Sequence, residues 1–106
     1  MARVLVVDDD GLVLAILRAV LGQEGWDVVT AGSLAQARPL LEGVDAIIVD
    51  GQLPDGDGLD LLDDEVVQRQ RPRVVLHTAT LPTAPVGVPV VLKGQGLDAI
   101  LAALAG

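Results

Sequence analysis

Three short apolar runs, each ending in a charged residue, constrain this chain more than any other feature. Val4 to Val7 runs into Asp8-Asp9, Ala46 to Val49 runs into Asp50, and Val90 to Leu92 runs into Lys93, the only lysine. Continuous apolar runs of this length read as strands buried on both faces, the pattern of a central parallel sheet. In an open parallel α/β sheet the carboxyl ends of the strands meet in one crevice. Three carboxylates and one ammonium are therefore expected at a common mouth. Clustered carboxylates repel unless a cation sits among them, so the pattern implies a Mg²⁺ site beside a fixed positive charge, a setting for a phosphoryl group.

Composition narrows the alternatives. A chain of 106 residues is expected to form one domain, with room for a single core and no separate catalytic or effector lobe. Phe and Tyr are absent and Trp26 is the lone aromatic, so the core must come from Val, Leu, Ile and Ala, and base-stacking platforms are excluded. Fifteen acids against seven bases give a net charge of -8, which repels phosphate backbones, so no nucleic-acid partner is expected. Without cysteine there is no disulfide, thiolate metal site or thiol chemistry. No apolar run is long enough to cross a bilayer and no basic leader precedes the first strand, so a cytoplasmic location without membrane attachment is expected.

Along the chain, strand and helix patterns alternate. Strands are expected at Arg3 to Val7, Trp26 to Thr30, Val44 to Val49, Arg73 to His77 and Val88 to Leu92. Helices are expected at Leu12 to Gln23, Ser33 to Glu42 with Pro39 kinking or shortening it, Leu59 to Gln70 and Gly96 to Ala105. Asp10 is placed to cap the first helix and Gly25 to end it. The fold class is thus α/β, a doubly wound five-stranded parallel sheet of order 2-1-3-4-5. Between Thr78 and Val88 only Ala79 to Gly87 remain, with Pro82 and Pro85, too few for a normal helical crossover. The fourth helix is expected to be lost or shortened, which would leave strand surface for a homodimer contact there.

At the mouth, Asp8 and Asp9 point in different directions, so one can touch the metal while the other holds its water. Asp50 shares the ion, and the backbone carbonyl of Gln52 is a natural further ligand. With a cation bound, Asp50 can take a phosphoryl group as an acyl phosphate while Lys93 neutralises its charge. Thr78 supplies a hydroxyl that can bond a phosphoryl oxygen and move with it. His77, the sole histidine, alternates away from Thr78 and is assigned to packing. The acids between Asp55 and Glu65 lack the spacing of a Ca²⁺ loop and read as helix-end and solvent charges.

This set resembles the receiver domain of two-component response regulators over the whole chain. The matching residues are the acidic pair Asp8-Asp9, the phosphoaccepting Asp50, Thr78 and Lys93. The stretch Asp50 to Gly58, Asp-Gly-Gln-Leu-Pro-Asp-Gly-Asp-Gly, is similar to that family's Asp-x-x-Leu/Met-Pro-x-x-x-Gly turn. The resemblance implies Mg²⁺, a histidine kinase or histidine phosphotransfer protein as donor, and an acceptor that is not an enzyme beyond slow self-dephosphorylation. Gly94 stands where that family usually has Pro, and Val90 where it often has Tyr or Phe. Together with the short crossover, these departures lie on the output side. They leave open a phosphate-independent dimerisation or docking scaffold. Asp8-Asp9-Asp10-Gly11 also resembles the Asp-x-Asp-Gly start of haloacid-dehalogenase-type phosphatases, with Asp8 as nucleophile, although the later acidic motif is missing.

Overall fold

A computed structural model describes residues 2–80 and 87–105. In it β1 (Arg3–Val7), β2 (Asp27–Ala31), β3 (Ala46–Val49), β6 (Arg73–Thr78) and β7 (Val90–Leu92) form one parallel sheet in the order β2-β1-β3-β6-β7. Numbering only these central strands, the order is the expected 2-1-3-4-5. A small antiparallel hairpin, β4 (Gln52–Leu53) with β5 (Gly56–Asp57), occupies the turn after β3.

Strand alternation divides the core into two layers. Leu5 and Val7 of β1, Ile47 and Val49 of β3 and Leu76 of β6 pack with Leu34, Ala37, Leu61 and Val67 on one face. Val4, Val6, Ile48, Val75 and Val91 pack with Leu17, Leu21, Ile100 and Leu104 on the other. Both faces of β1 and β3 are therefore dry, which is why these strands read as unbroken apolar runs. Trp26 is half-buried just before β2, and aliphatic side chains fill the remainder.

Helix α1 (Gly11–Gln23) starts on Asp10, whose carboxylate accepts the Leu12 N–H at 2.9 Å. It ends in a Schellman turn: Trp26 N–H reaches Leu21 O at 3.0 Å, Gly25 N–H reaches Gly22 O at 3.1 Å, and Gly25 has φ of 93°. The second helix is shorter than its periodicity suggests. Only α2 (Leu34–Ala37) is α-helical, and Arg38–Leu40 tightens into a 3₁₀ turn around Pro39, which has no N–H for the helical ladder. The third helical stretch is also divided. Gly58–Asp63 is 3₁₀, Asp64 is extended with ψ of 136°, and α3 (Glu65–Gln70) restarts on the Asp64 side chain, which accepts Val66 N–H. Periodicity cannot register such a break because each piece still buries an apolar residue on the core side, Leu61 in the first and Val67 in the second.

The strands β3 and β7 begin two residues later than expected, although Val44 is buried and Pro89 O still accepts the Leu76 N–H. Helix α4 (Leu97–Ala105) closes the described chain. The expected loss of a fourth helix concerns residues 79 to 87, of which 81–86 lie outside the described residues.

Gly58 shows how closely the turn after β3 is packed. A Cβ there would overlap the Asp50 carbonyl and lie 2.8 Å from Val49 Cγ2, whereas one on Gly11 would meet nothing within 4 Å. Since the obstruction is backbone, Gly58→Ala should destabilise the domain by about 1–3 kcal/mol in urea unfolding, and Gly11→Ala should be near neutral.

Candidate functional site

The backbone ladder carries the polar residues to the mouth. Val7 pairs with Val49 in register, and Asp50 N–H then bonds Val7 O at 2.9 Å. Asp8 N–H bonds Ala31 O at 3.0 Å, and Lys93 N–H bonds Thr78 O at 2.8 Å. Asp8, Asp50 and Lys93 are thus each the first position beyond a strand and are still held by a sheet hydrogen bond, while Thr78 is the last residue of β6. Rigid strand ends hold side chains more exactly than free loops do.

The charges converge as expected. Lys93 Nζ lies 2.8 Å from Asp8 Oδ2 and 2.9 Å from Asp50 Oδ2. Only the contact with Asp50 has hydrogen-bond alignment, so Asp8 Oδ2 is buried with its charge matched but no aligned donor. Asp8 is 2% exposed and Asp50 7%, burial that a carboxylate tolerates only with a nearby countercharge. Their other oxygens are used locally: Asp8 Oδ1 accepts Asp10 N–H at 2.9 Å, and Asp50 Oδ1 accepts Gln52 N–H at 3.1 Å. Burial by itself would push the Lys93 ammonium down, but its close charge contacts with Asp8 and Asp50 outweigh burial and raise its pKa above the ordinary lysine value.

Asp9 is exposed, and one oxygen each from Asp8, Asp9 and Asp50 lie within 4.8 Å of one another. The donor set fits a hard divalent cation: three carboxylates, one of which, Asp8, has a buried oxygen without an aligned hydrogen-bond donor. Gln52 stands at the start of the hairpin, tied by its N–H to Asp50. Thr78 is buried beside the turn after Asp50, its Oγ1 only 3.2 Å from where a Cβ on Gly51 would lie. The sequence-based set of Asp8, Asp9, Asp50, Gln52, Thr78 and Lys93 is brought to one mouth.

Two neighbours carry meaning that their sequence context did not. Gly94 adopts φ of 110°, turning the chain sharply after Lys93. A proline, locked near -65°, could not make that turn. Asp55, at the hairpin tip, accepts the N–H groups of Leu34 and Ala35, each at 2.9 Å, and so ties the turn after Asp50 to the start of α2. Those two bonds hold its carboxyl below the usual range. A helix-end role for these acids is legible from sequence, as Asp57 and Asp64 also cap local turns. That Asp55 serves the preceding helix is a tertiary fact. Asp10, the second aspartate of the phosphatase-like Asp-x-Asp-Gly stretch, spends its carboxylate on the cap of α1.

His77 is buried as expected, on the α1 side of the sheet, with Nδ1 unpartnered among the described residues. Burial and then the charge of Lys93 lower its pKa, against the opposing pull of Asp8 and Asp50. The unfolded chain therefore binds a proton that the folded chain refuses in the window just below the ordinary value of 6.5. Stability should fall as pH drops through that window. His77→Leu should remove this part of the slope, measured as the urea midpoint at a series of pH values, while the steeper acid loss from carboxylates persists.

A family model described as the response regulator receiver domain matches residues 4–88. It takes in Asp8, Asp9, Asp50 and Thr78, and it stops before Lys93. The transcriptional regulatory protein AruR of Pseudomonas aeruginosa is 44% identical over 66 residues, which are 56% of this chain and 27% of that protein. The alginate biosynthesis transcriptional regulatory protein AlgB of Pseudomonas putida is 40% identical over 79 residues, 73% of this chain and 18% of that protein. This chain therefore spans about a quarter or less of these curated relatives. Among solved structures, a response regulator from Burkholderia pseudomallei, crystallised with a phosphorylated aspartic acid, calcium and citrate, superposes with a TM-score of 0.85 at 26% identity. That match covers 98% of this chain and 66% of that one.

Proposed function

This chain belongs to the response regulator receiver domain family, the receiver component of two-component signalling, and from that premise we propose that it is a single receiver domain that accepts a phosphoryl group on Asp50 in the presence of Mg²⁺. The observation that carries this reading is Lys93 Nζ lying between Asp8 Oδ2 and Asp50 Oδ2 at 2.8 and 2.9 Å, beside the third carboxylate of Asp9. Asp8, Asp9, Asp50 and the Gln52 carbonyl would hold the cation, whose charge offsets that of the transferring group.

The remaining steps belong to the chain. An oxygen of Asp50 attacks phosphorus, a P–O bond forms, and the P–N bond to the donor imidazole breaks, the electron pair leaving with the ring nitrogen. Lys93 balances the charge delivered to Asp50 and keeps its proton while doing so, since its pKa lies above the ordinary value. Thr78 offers its hydroxyl to a phosphoryl oxygen across the Gly51 backbone. The donor in this reading is a histidine kinase or histidine phosphotransfer protein. The chain acts as an acceptor, with self-dephosphorylation as its only turnover. Its relatives are named transcriptional regulators, and in this reading the receiver itself contacts no nucleic acid.

Incubation with Mg²⁺ and acetyl phosphate should add one phosphoryl group, labile to hydroxylamine and mapped by mass spectrometry to Asp50. Asp50→Asn should abolish the adduct in a folded protein, and an adduct on Asp8 in its place would refute the assignment. Asp9→Asn, at an exposed position, should fold normally and raise the Mg²⁺ concentration needed for half-maximal labelling by roughly 10–100-fold.

A further inference from the structure

We propose that Asp50 and Gly51 form a modification site, at which the phosphorylated Asp50 side chain closes on the Gly51 main-chain nitrogen to give a cyclic imide and then isoaspartate. Because ring closure needs an acyl phosphate, the modification rests on the acceptor function proposed above. A free carboxylate is a poor electrophile, whereas an acyl phosphate carries phosphate as a leaving group. Two nitrogens are within reach of the Asp50 carboxyl. Lys93 Nζ lies 2.9 Å from Asp50 Oδ2, but its carboxylate contacts keep it protonated, and an ammonium has no lone pair to offer. The Gly51 nitrogen follows directly in the chain and closes a five-membered ring.

The local structure favours that nitrogen. Asp50 Oδ1 accepts the Gln52 N–H at 3.1 Å, which folds the carboxyl group back over the peptide that follows it. The Gly51 N–H donates to no acceptor among the described residues, although the preceding Asp50 N–H is bonded to Val7 O and the Gly51 carbonyl is taken by Gly58 N–H. Gly51 is partly exposed, so water reaches the turn. Without a side chain it neither shields its nitrogen nor restricts the backbone rotation that ring closure requires. In the step itself the bond from Gly51 N to Asp50 Cγ forms and the Cγ–O bond to phosphorus-bearing oxygen breaks. The electron pair leaves with inorganic phosphate, and the N–H proton passes to water. Water then opens the ring at the side-chain carbonyl, which restores Asp50, or at the main-chain carbonyl, which leaves isoaspartate. Isoaspartate lengthens the main chain by one carbon and draws the carboxylate away from Lys93, so a fraction of phosphorylation events retires the acceptor permanently.

The same dipeptide recurs at Asp10-Gly11, Asp55-Gly56 and Asp57-Gly58, none of which is activated, and these pairs serve as internal controls. The chain is incubated with Mg²⁺ and acetyl phosphate, beside arms without donor or with EDTA, and followed over time by intact mass and peptide mapping. Isoaspartate is read by methyl transfer from S-adenosylmethionine with a protein isoaspartate methyltransferase. The phosphoryl adduct should give way to a form lighter than the unmodified chain by one water, then to isoaspartate at position 50. Both should form at least about tenfold faster than in the control arms or at the other pairs. Gly51→Ala, checked for fold by circular dichroism and for labelling, should keep the adduct and slow ring closure by roughly tenfold. Donor dependence in the wild-type chain decides the matter if that variant labels poorly. Absence of any phosphoryl adduct would refute the acceptor reading and this modification together. An adduct that returns wholly to the unmodified chain, or ring closure at Asp50 no faster with donor than without, would overturn the modification alone.

Discussion

The register that sets Val7 beside Val49 is the constraint on which the rest of the mouth depends. One residue further on, the ladder delivers Asp8 and Asp50 as neighbours, still tied to the sheet through Asp8 N–H on Ala31 O and Asp50 N–H on Val7 O. A slip of one residue would send the apolar set of β3 to the wrong faces and move Asp50 away from Lys93. Both faces of these strands are buried, so such a slip is disfavoured by the entire core. Burial of ordinary aliphatic residues is thus what sets the spacing of the reactive ones.

That register brings like charges together, and Lys93 makes the arrangement tolerable. Two carboxylates almost fully removed from water would be costly on their own, and a single ammonium between them offsets much of that cost. The balance stays incomplete, with three carboxylates against one cation and a buried oxygen of Asp8 without an aligned donor. The residual negative charge is what would suit this mouth to the divalent cation and phosphoryl group of the proposed function. Stability and function press here in opposite directions, as is common where sites store unfavourable electrostatics.

Much of this was legible along the chain. The five strands, their order and the convergence of Asp8, Asp9, Asp50, Thr78 and Lys93 follow from apolar runs that each end in a charge or hydroxyl. The helices after β2 and β3 were less legible. Their apolar periodicity survives a change from α to 3₁₀ geometry, so the breaks around Pro39 and at Asp64 leave little trace in the pattern. Gly94 was legible only as a departure from a proline, and the backbone reveals that a positive φ is what the position demands. Lys93 falls beyond the stretch matched by the family model, and the salt bridges tie it to the site in this chain.

The sequence by itself determined which residues are buried in strands and which charges stand at their ends, because side-chain alternation and burial are local properties that a periodic pattern records. Only the tertiary structure decided how those charges share their bonds. That Lys93 aligns with Asp50 but only approaches Asp8, and that Asp55 reaches back to α2, depend on distances between segments far apart in the chain. Such distances are set by packing of the whole core, and no local pattern encodes them.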